Sequence, residues 1–291
     1  MRLLSARTAR GETLGVVADG RWMSATDLLP DGPRLMADLL ASGAAAVGTL
    51  RAAAESSGPR IARDGQSTDD TEYLAPVPRP GKVVAIGRNY RAHAAEEGVD
   101  PPAAPLIFSK WPSSVVGHGT AIRWSAELTA QVDFEAELGV VIGRAARRVT
   151  VDEALDHVLG YTCLNDVSAR DLQFGDGQWV RGKSLDTFCP IGPSVVPASE
   201  IPDPQALQLK TILNGEVVQE APTSDMIFSV AQIVAFISEA ITLEPGDLIL
   251  TGTPAGVGIF HDPELLLQPG DEVTVEIEGI GTLTNPVAAA N

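Results

Sequence analysis

Basic residues are scarce in this sequence: 21 Lys and Arg stand against 38 Asp and Glu in 291 residues, a formal charge of −17. So acidic a surface repels polyphosphate, which argues against nucleic acid or an anionic membrane as partner. A small anionic substrate stays open, because a few local cations can recruit one. Cysteine occurs only at Cys163 and Cys189. Two are too few for a disulfide framework, and buried thiols in a reducing compartment are the expectation. No run approaches about 18 apolar residues, and the opening Met1-Arg2-Leu3-Leu4-Ser5-Ala6-Arg7 lacks the apolar segment of a secretion signal. A soluble cytoplasmic protein is expected.

What is present is organised around residues 132–143. Val132, Phe134, Ala136 and Leu138 alternate with Asp133, Glu135 and Glu137, the period of a β-strand. Residues i and i+2 share a strand face, so the carboxylates of Glu135 and Glu137 sit side by side. Their repulsion is relieved by a proton or a cation. The strand continues into Val140-Val141-Ile142, so the acid pair borders a buried region, and a divalent metal is the natural hypothesis.

Around this stretch the chain reads as mainly β with peripheral helices, an α+β arrangement. Short strands fill 2–29 with a hairpin signal at Asp19-Gly20, and apolar residues at helical spacing follow from Pro33 to Ser56. Residues 57–81 read as a linker, which places a boundary near 75 between a small N-terminal domain (1–75) and a larger one (76–291). In the larger part, Thr150 opens a short helix that Gly160 closes. Asn214-Gly215 joins a hairpin, Ser224 to Ile241 is the best helix, and two Pro-Gly-Asp turns lead into strands at 248 and 272.

Three further features bear on chemistry. Asp166 ends a strand and completes an all-oxygen set with Glu135 and Glu137. Hard oxygen ligands without cysteine or clustered histidine favour Mg²⁺, Mn²⁺ or Ca²⁺ over Zn²⁺. Lys183, beside Gly182 in a polar segment, is able to approach an anion. His93 and Glu96 are neighbours on one helical turn, a possible base with its orienting carboxylate, between Gly98 and the start of the chain's larger part; Gly98 and Pro101-Pro102 would let that turn move as a lid.

In series these segments resemble the fumarylacetoacetate hydrolase family over roughly residues 82–288. The resemblance rests on Ile86-Gly87-Arg88-Asn89-Tyr90 with His93 and Glu96, Phe108-Ser109-Lys110, Asp133 to Leu138, and Gly160-Tyr161-Thr162. It continues through Asn165 to Asp171, Gly182-Lys183-Ser184 with Asp186-Thr187-Phe188, Asn214-Gly215, and Thr251-Gly252-Thr253-Pro254. It implies a roll-like mixed β fold, a small variable N-terminal domain and a homodimer. It implies that Glu135, Glu137 and Asp166 hold Mg²⁺ or Mn²⁺. By the same resemblance His93 and Glu96 form a water-activating dyad on a lid and Lys183 touches the substrate's carboxylate or enolate. Arg170, Gln173 and Thr253 fall where the family contacts substrate. The leading expectation is a Mg²⁺-dependent hydrolase cleaving the C3–C4 bond of an acylpyruvate or other 2,4-dioxo acid, with a metal-stabilised pyruvate enolate leaving. Oxaloacetate decarboxylase and 2-hydroxyhepta-2,4-diene-1,7-dioate isomerase use the same enolate and are the alternatives. A catalytically silent metal-binding protein is the reading from another class.

Overall fold

In the computed structural model, which describes residues 1–290, the stretch expected as one strand is two: Val132–Asp133 and Ala136–Ile142. Side chains take over the backbone's hydrogen bonds at the break. Asp133 accepts from the Phe134 N–H at 2.8 Å, and Asn165 accepts from the Glu135 N–H at 3.0 Å. The first piece pairs with Ser168–Ala169; the second pairs with Val158–Asn165 on one side and Leu248–Leu250 on the other. The correction matters, because Glu135 lies at the break and Glu137 within the second piece.

Ala136–Ile142 runs through the middle of a twelve-stranded mixed sheet and is buried along its whole length. Its side chains feed two cores. Leu138, Val140 and Ile142 join Tyr161 and Ile249 on one face, while Val141 joins Leu164, Leu248 and Leu250 on the other. A strand covered on both faces reads as continuously apolar, as this one does from Leu138 on. The first core is closed by a five-stranded sheet, through Leu209, Val275, Ile277 and Leu283, and by the helix Val230–Ala240. The second is closed by Met36, Leu39 and Leu50 from the helices Met36–Ser42 and Ala44–Ser56. The fold is the mainly β, α+β type expected, with helices outside the sheets.

Arg2–Thr8, Gly11–Ala18 and Arg21–Ser24 form an antiparallel meander that turns at Asp19 and Gly20, with φ of 49° and 71°. Leu3 pairs with Val195 of Cys189–Pro197, so residues on either side of position 75 share one sheet. Several local expectations need correction. The helix over 33–56 is divided at Gly43, whose φ of 75° no helix accommodates. The expected linker at 57–81 contains the helix Gly58–Asp64, with Pro59 in its first turn, and the strands Gln66–Ser67 and Glu72–Leu74. The capping box at Thr150 opens only Val151–Ala154, and Gly160 lies inside the strand Val158–Asn165. A Cβ there would stand 2.1 Å from the Val196 carbonyl oxygen, so close strand pairing explains the glycine. The helix expected from Ser224 begins at Val230, with Ser229 as its N-cap. No helix among the described residues is long and apolar enough to cross a membrane.

Candidate active site

The antiparallel register sets Ala136 opposite Asn165 and Glu137 opposite Leu164, so Glu135 and Asp166 meet just beyond the paired ends. The Asp166 N–H donates to the Glu135 carbonyl at 2.9 Å and fixes the approach. One carboxylate oxygen from each of Glu135, Glu137 and Asp166 lies within 4.8 Å of the others, and all three residues are buried. Three cations answer them. Lys183 Nζ donates to Glu135 at 2.8 Å and to Asp166 at 2.9 Å. Lys110 Nζ bonds Asp166 and, at 3.1 Å, the Val167 carbonyl. Arg170 reaches Glu135 at 2.6 Å and Asp133 at 2.8 Å.

The balance is uneven. Burial opposes ionisation of Glu135, yet Lys183 and Arg170 bring its pKa down to about 2. Glu137 has the Gly252 N–H at 2.6 Å as its hydrogen-bond partner; burial and the charges of Asp166 and Glu135 hold its carboxyl well above the usual range. Burial would lower the Lys183 pKa, but Asp166 and Glu135 raise it, so the ammonium is kept charged. Three buried carboxylates, one of them short of positive charge, fit a divalent cation, and an oxygen-only set suits Mg²⁺ or Mn²⁺.

Over this cluster lies the helix Arg91–Glu96, which carries His93 with 4% exposure. His93 Nδ1 is 3.1 Å from Glu96 Oε2, and Nε2 is 3.1 Å from Glu97 Oε1. Glu96 is held by the Gly256 N–H at 2.9 Å, and Glu97 by Arg88 Nε at 2.7 Å. With a carboxylate oxygen at each ring nitrogen, the setting favours donation from both and hence the imidazolium form. Burial works against that charge, but the bonds to Glu96 and Glu97 raise the pKa to about 9.

His93, Glu135, Glu137, Arg170, Gln173, Lys183 and Thr253 line one cavity of about 20 Å³. That is room for about one water. Glu96 and Asp166 stand behind the cavity wall, each bonded to a residue that lines it. The sequence model of the fumarylacetoacetate (FAA) hydrolase C-terminal family matches residues 82–288, the span that builds this site. The chain belongs to that family. It is 46% identical over 224 residues to oxaloacetate tautomerase YisK of Bacillus subtilis, covering 76% of this chain and 74% of that one. It is 42% identical over 260 residues to mitochondrial oxaloacetate tautomerase FAHD2A of Bos taurus, covering 89% and 81%. The solved fumarylacetoacetate hydrolase of Exiguobacterium antarcticum superposes with a TM-score of 0.86 at 36% identity, over the full length of both chains.

Within this member of the FAA hydrolase family, each expected site residue lies in the cavity or directly behind it, but some local settings differ. The polar segment around Lys183 is helical there, and Lys183 ends the helix Val180–Lys183. Gly182 lets that helix pack on its neighbour, since a Cβ would be 2.6 Å from the Gln173 nitrogen. Five residues with site contacts went unassigned in the sequence: Arg88, Glu97, Lys110, Asp133 and Gln219. Glu97 had a signal, its i,i+4 spacing from His93. Gln219 had none; its Oε1 accepts from the Ala136 N–H at 3.0 Å while its Nε2 donates to Thr253 Oγ1 at 3.0 Å. Of the aromatics near the site, Trp179 lines the cavity and Trp124 packs on Phe188, while Trp111 and Phe174 are exposed. Cys163 and Cys189 are free buried thiols whose pKa burial pushes up to about 12, as expected of core cysteines.

Proposed function

We propose that this chain is a metal-dependent tautomerase of 2-oxo acids, moving a proton between the enol oxygen and C3 of a substrate of the oxaloacetate type. The observation that carries the reading is the pair of carboxylates on His93. An imidazolium donates protons, whereas activating water for C–C hydrolysis needs a bare ring nitrogen. Tautomerisation uses no water. Two relatives at 46% and 42% identity bear the name oxaloacetate tautomerase, which supports the same choice.

Glu135, Glu137 and Asp166 would hold Mg²⁺ or Mn²⁺, which when bound supplies a Lewis acid for negative charge on the 2-oxo oxygen. Lys183, fixed between Glu135 and Asp166, adds positive charge for the substrate's carboxylate and enolate oxygens. Arg170 and Gln173, joined at 3.0 Å, and Thr253 frame and orient the acid. As substrate enters, His93 Nε2 leaves Glu97 and gives its proton to C3, and the enol hydroxyl proton returns to the same nitrogen, so no atom is gained or lost while Glu96 keeps hold of Nδ1–H. The closed lid keeps water away while this happens. A homodimer in the cytoplasm belongs to the same proposal. Leu106–Ser109 is an edge strand of the large sheet, with Leu106 38% and Ile107 37% exposed, a surface that a second copy would cover. The free thiols suit a reducing compartment.

The test uses EDTA-stripped protein with and without added Mg²⁺. Ketonisation of enol-oxaloacetate, followed by ultraviolet absorbance, should return with the metal, with pyruvate release from acetylpyruvate slower by about 100-fold or more. Metal-restored cleavage of acetylpyruvate without tautomerisation would return the assignment to a C–C hydrolase. Loss of CO₂ from oxaloacetate as the main reaction would return it to a decarboxylase.

A further inference from the structure

Four cationic side chains line the cavity: Arg88, His93, Arg170 and Lys183. Three are matched by fixed carboxylates. His93 lies between Glu96 and Glu97, Arg170 between Asp133 and Glu135, and Lys183 between Glu135 and Asp166. Arg88 differs. Its Nε donates to Glu97, an acid it shares with His93, and among the described residues neither of its Nη groups has an acceptor. Its side chain is 31% exposed, so it stands where the cavity meets solvent.

The position of Arg88 is nevertheless fixed. Its φ is 56°, a region sparsely used by residues that carry a Cβ. Its guanidinium lies over the Trp179 ring, 5.5 Å from the centroid. Trp179 is backed by Phe108, edge-on at 5.2 Å, and by Gly87, where a Cβ would stand 2.4 Å from the indole. A backbone in the left-handed region thus holds the guanidinium over the indole at the rim of the cavity. Stacking on the face leaves the planar edge available for two parallel bonds to a carboxylate.

We infer that Arg88 binds the distal carboxylate of a dicarboxylic 2-oxo acid and so selects diacids over monoacids. The inference rests on the tautomerase reading and adds the residue that sets its substrate class. The inner cations, shared with fixed acids, serve the first carboxylate and the enolate, so the distal carboxylate of a diacid finds its partner at Arg88, at the solvent end of the cavity.

The test measures kcat/KM for the enols of oxaloacetate, a diacid, and phenylpyruvate, a monoacid, on full-length Mg²⁺-loaded protein. In Arg88→Gln the ratio of the two should fall by roughly tenfold to a hundredfold, chiefly through the KM for oxaloacetate, as befits one lost charge-assisted contact. Arg88→Lys should regain part of it. An unchanged ratio overturns the inference. If both substrates slow alike and the pH profile of kcat also moves, Arg88 acts through Glu97 on His93, and the tautomerase reading stands without it. Wild-type protein that accelerates neither ketonisation removes that reading, and the inference with it.

Discussion

Lys183 donates to two of the three clustered carboxylates, while Glu137 makes do with a backbone N–H, so the site's charge balance hangs on few atoms. Removing Lys183 takes one of two cations from each of two buried acids, leaving Arg170 on Glu135 and Lys110 on Asp166. Lys183→Met should therefore destabilise the metal-free protein by less than the about 3–5 kcal/mol of a fully broken buried pair, on the order of 1–3 kcal/mol. Added Mg²⁺ should restore more of that loss than it adds to the wild type, as urea denaturation with EDTA or Mg²⁺ will measure. His93 gives a pH test. Its folded pKa, raised to about 9, lies above the ~6.5 of an unfolded histidine. Its ion pairs therefore contribute fully below about pH 6.5, and that contribution is lost as the pH rises through about 9. The gap in unfolding free energy between wild type and His93→Gln should shrink over that window, and tautomerase activity should fall along the same limb. At this scale the sequence was legible where neighbours are local. Glu135 and Glu137 share a strand face, and His93 and Glu96 share a turn. Lys110, Asp133 and Gln219 act on residues 56, 37 and 83 positions away, a separation that no periodicity encodes.

Two helices set the depth of the groups that line the cavity. Val180–Lys183 packs on Arg170–Asp176 only because position 182 lacks a Cβ. Gly182→Ala should cost about 1–3 kcal/mol by overpacking and lower kcat as Lys183 shifts. Gly175→Ala, an exposed helix position with nothing near its Cβ, should instead stabilise by about 0.5–1 kcal/mol. Paired thermal melts and kinetics separate the two. Elements marked by backbone chemistry were readable in advance. Asp19-Gly20 and Asn214-Gly215 both adopt the positive φ their hairpins need, at 49° and 71° and at 52° and 88°. Elements fixed by packing were not. Prolines and glycines over 57–81 resemble a linker, but Ile61 is fully buried and two short strands there pair with the N-terminal meander.

For the whole molecule, the sequence carried the mainly β class and the family, since the ordered motifs from Ile86 to Pro254 lie within the matched span. It did not reveal that Leu3 joins the central sheet, because strand pairing across nearly two hundred residues leaves no local mark. Sedimentation should give twice the 30.5 kDa of one chain, and Leu106→Lys on the edge strand should halve it; a wild-type monomer at micromolar concentration would contradict the dimer. We propose that His93 is held doubly protonated between its two acids. Nitrogen-15 NMR of the ring in Mg²⁺-loaded protein at pH 7.5 tests it most directly. Imidazolium shifts are expected at both Nδ1 and Nε2, abolished in His93→Gln; one unprotonated ring nitrogen at that pH would rule out double protonation and restore a water-activating base.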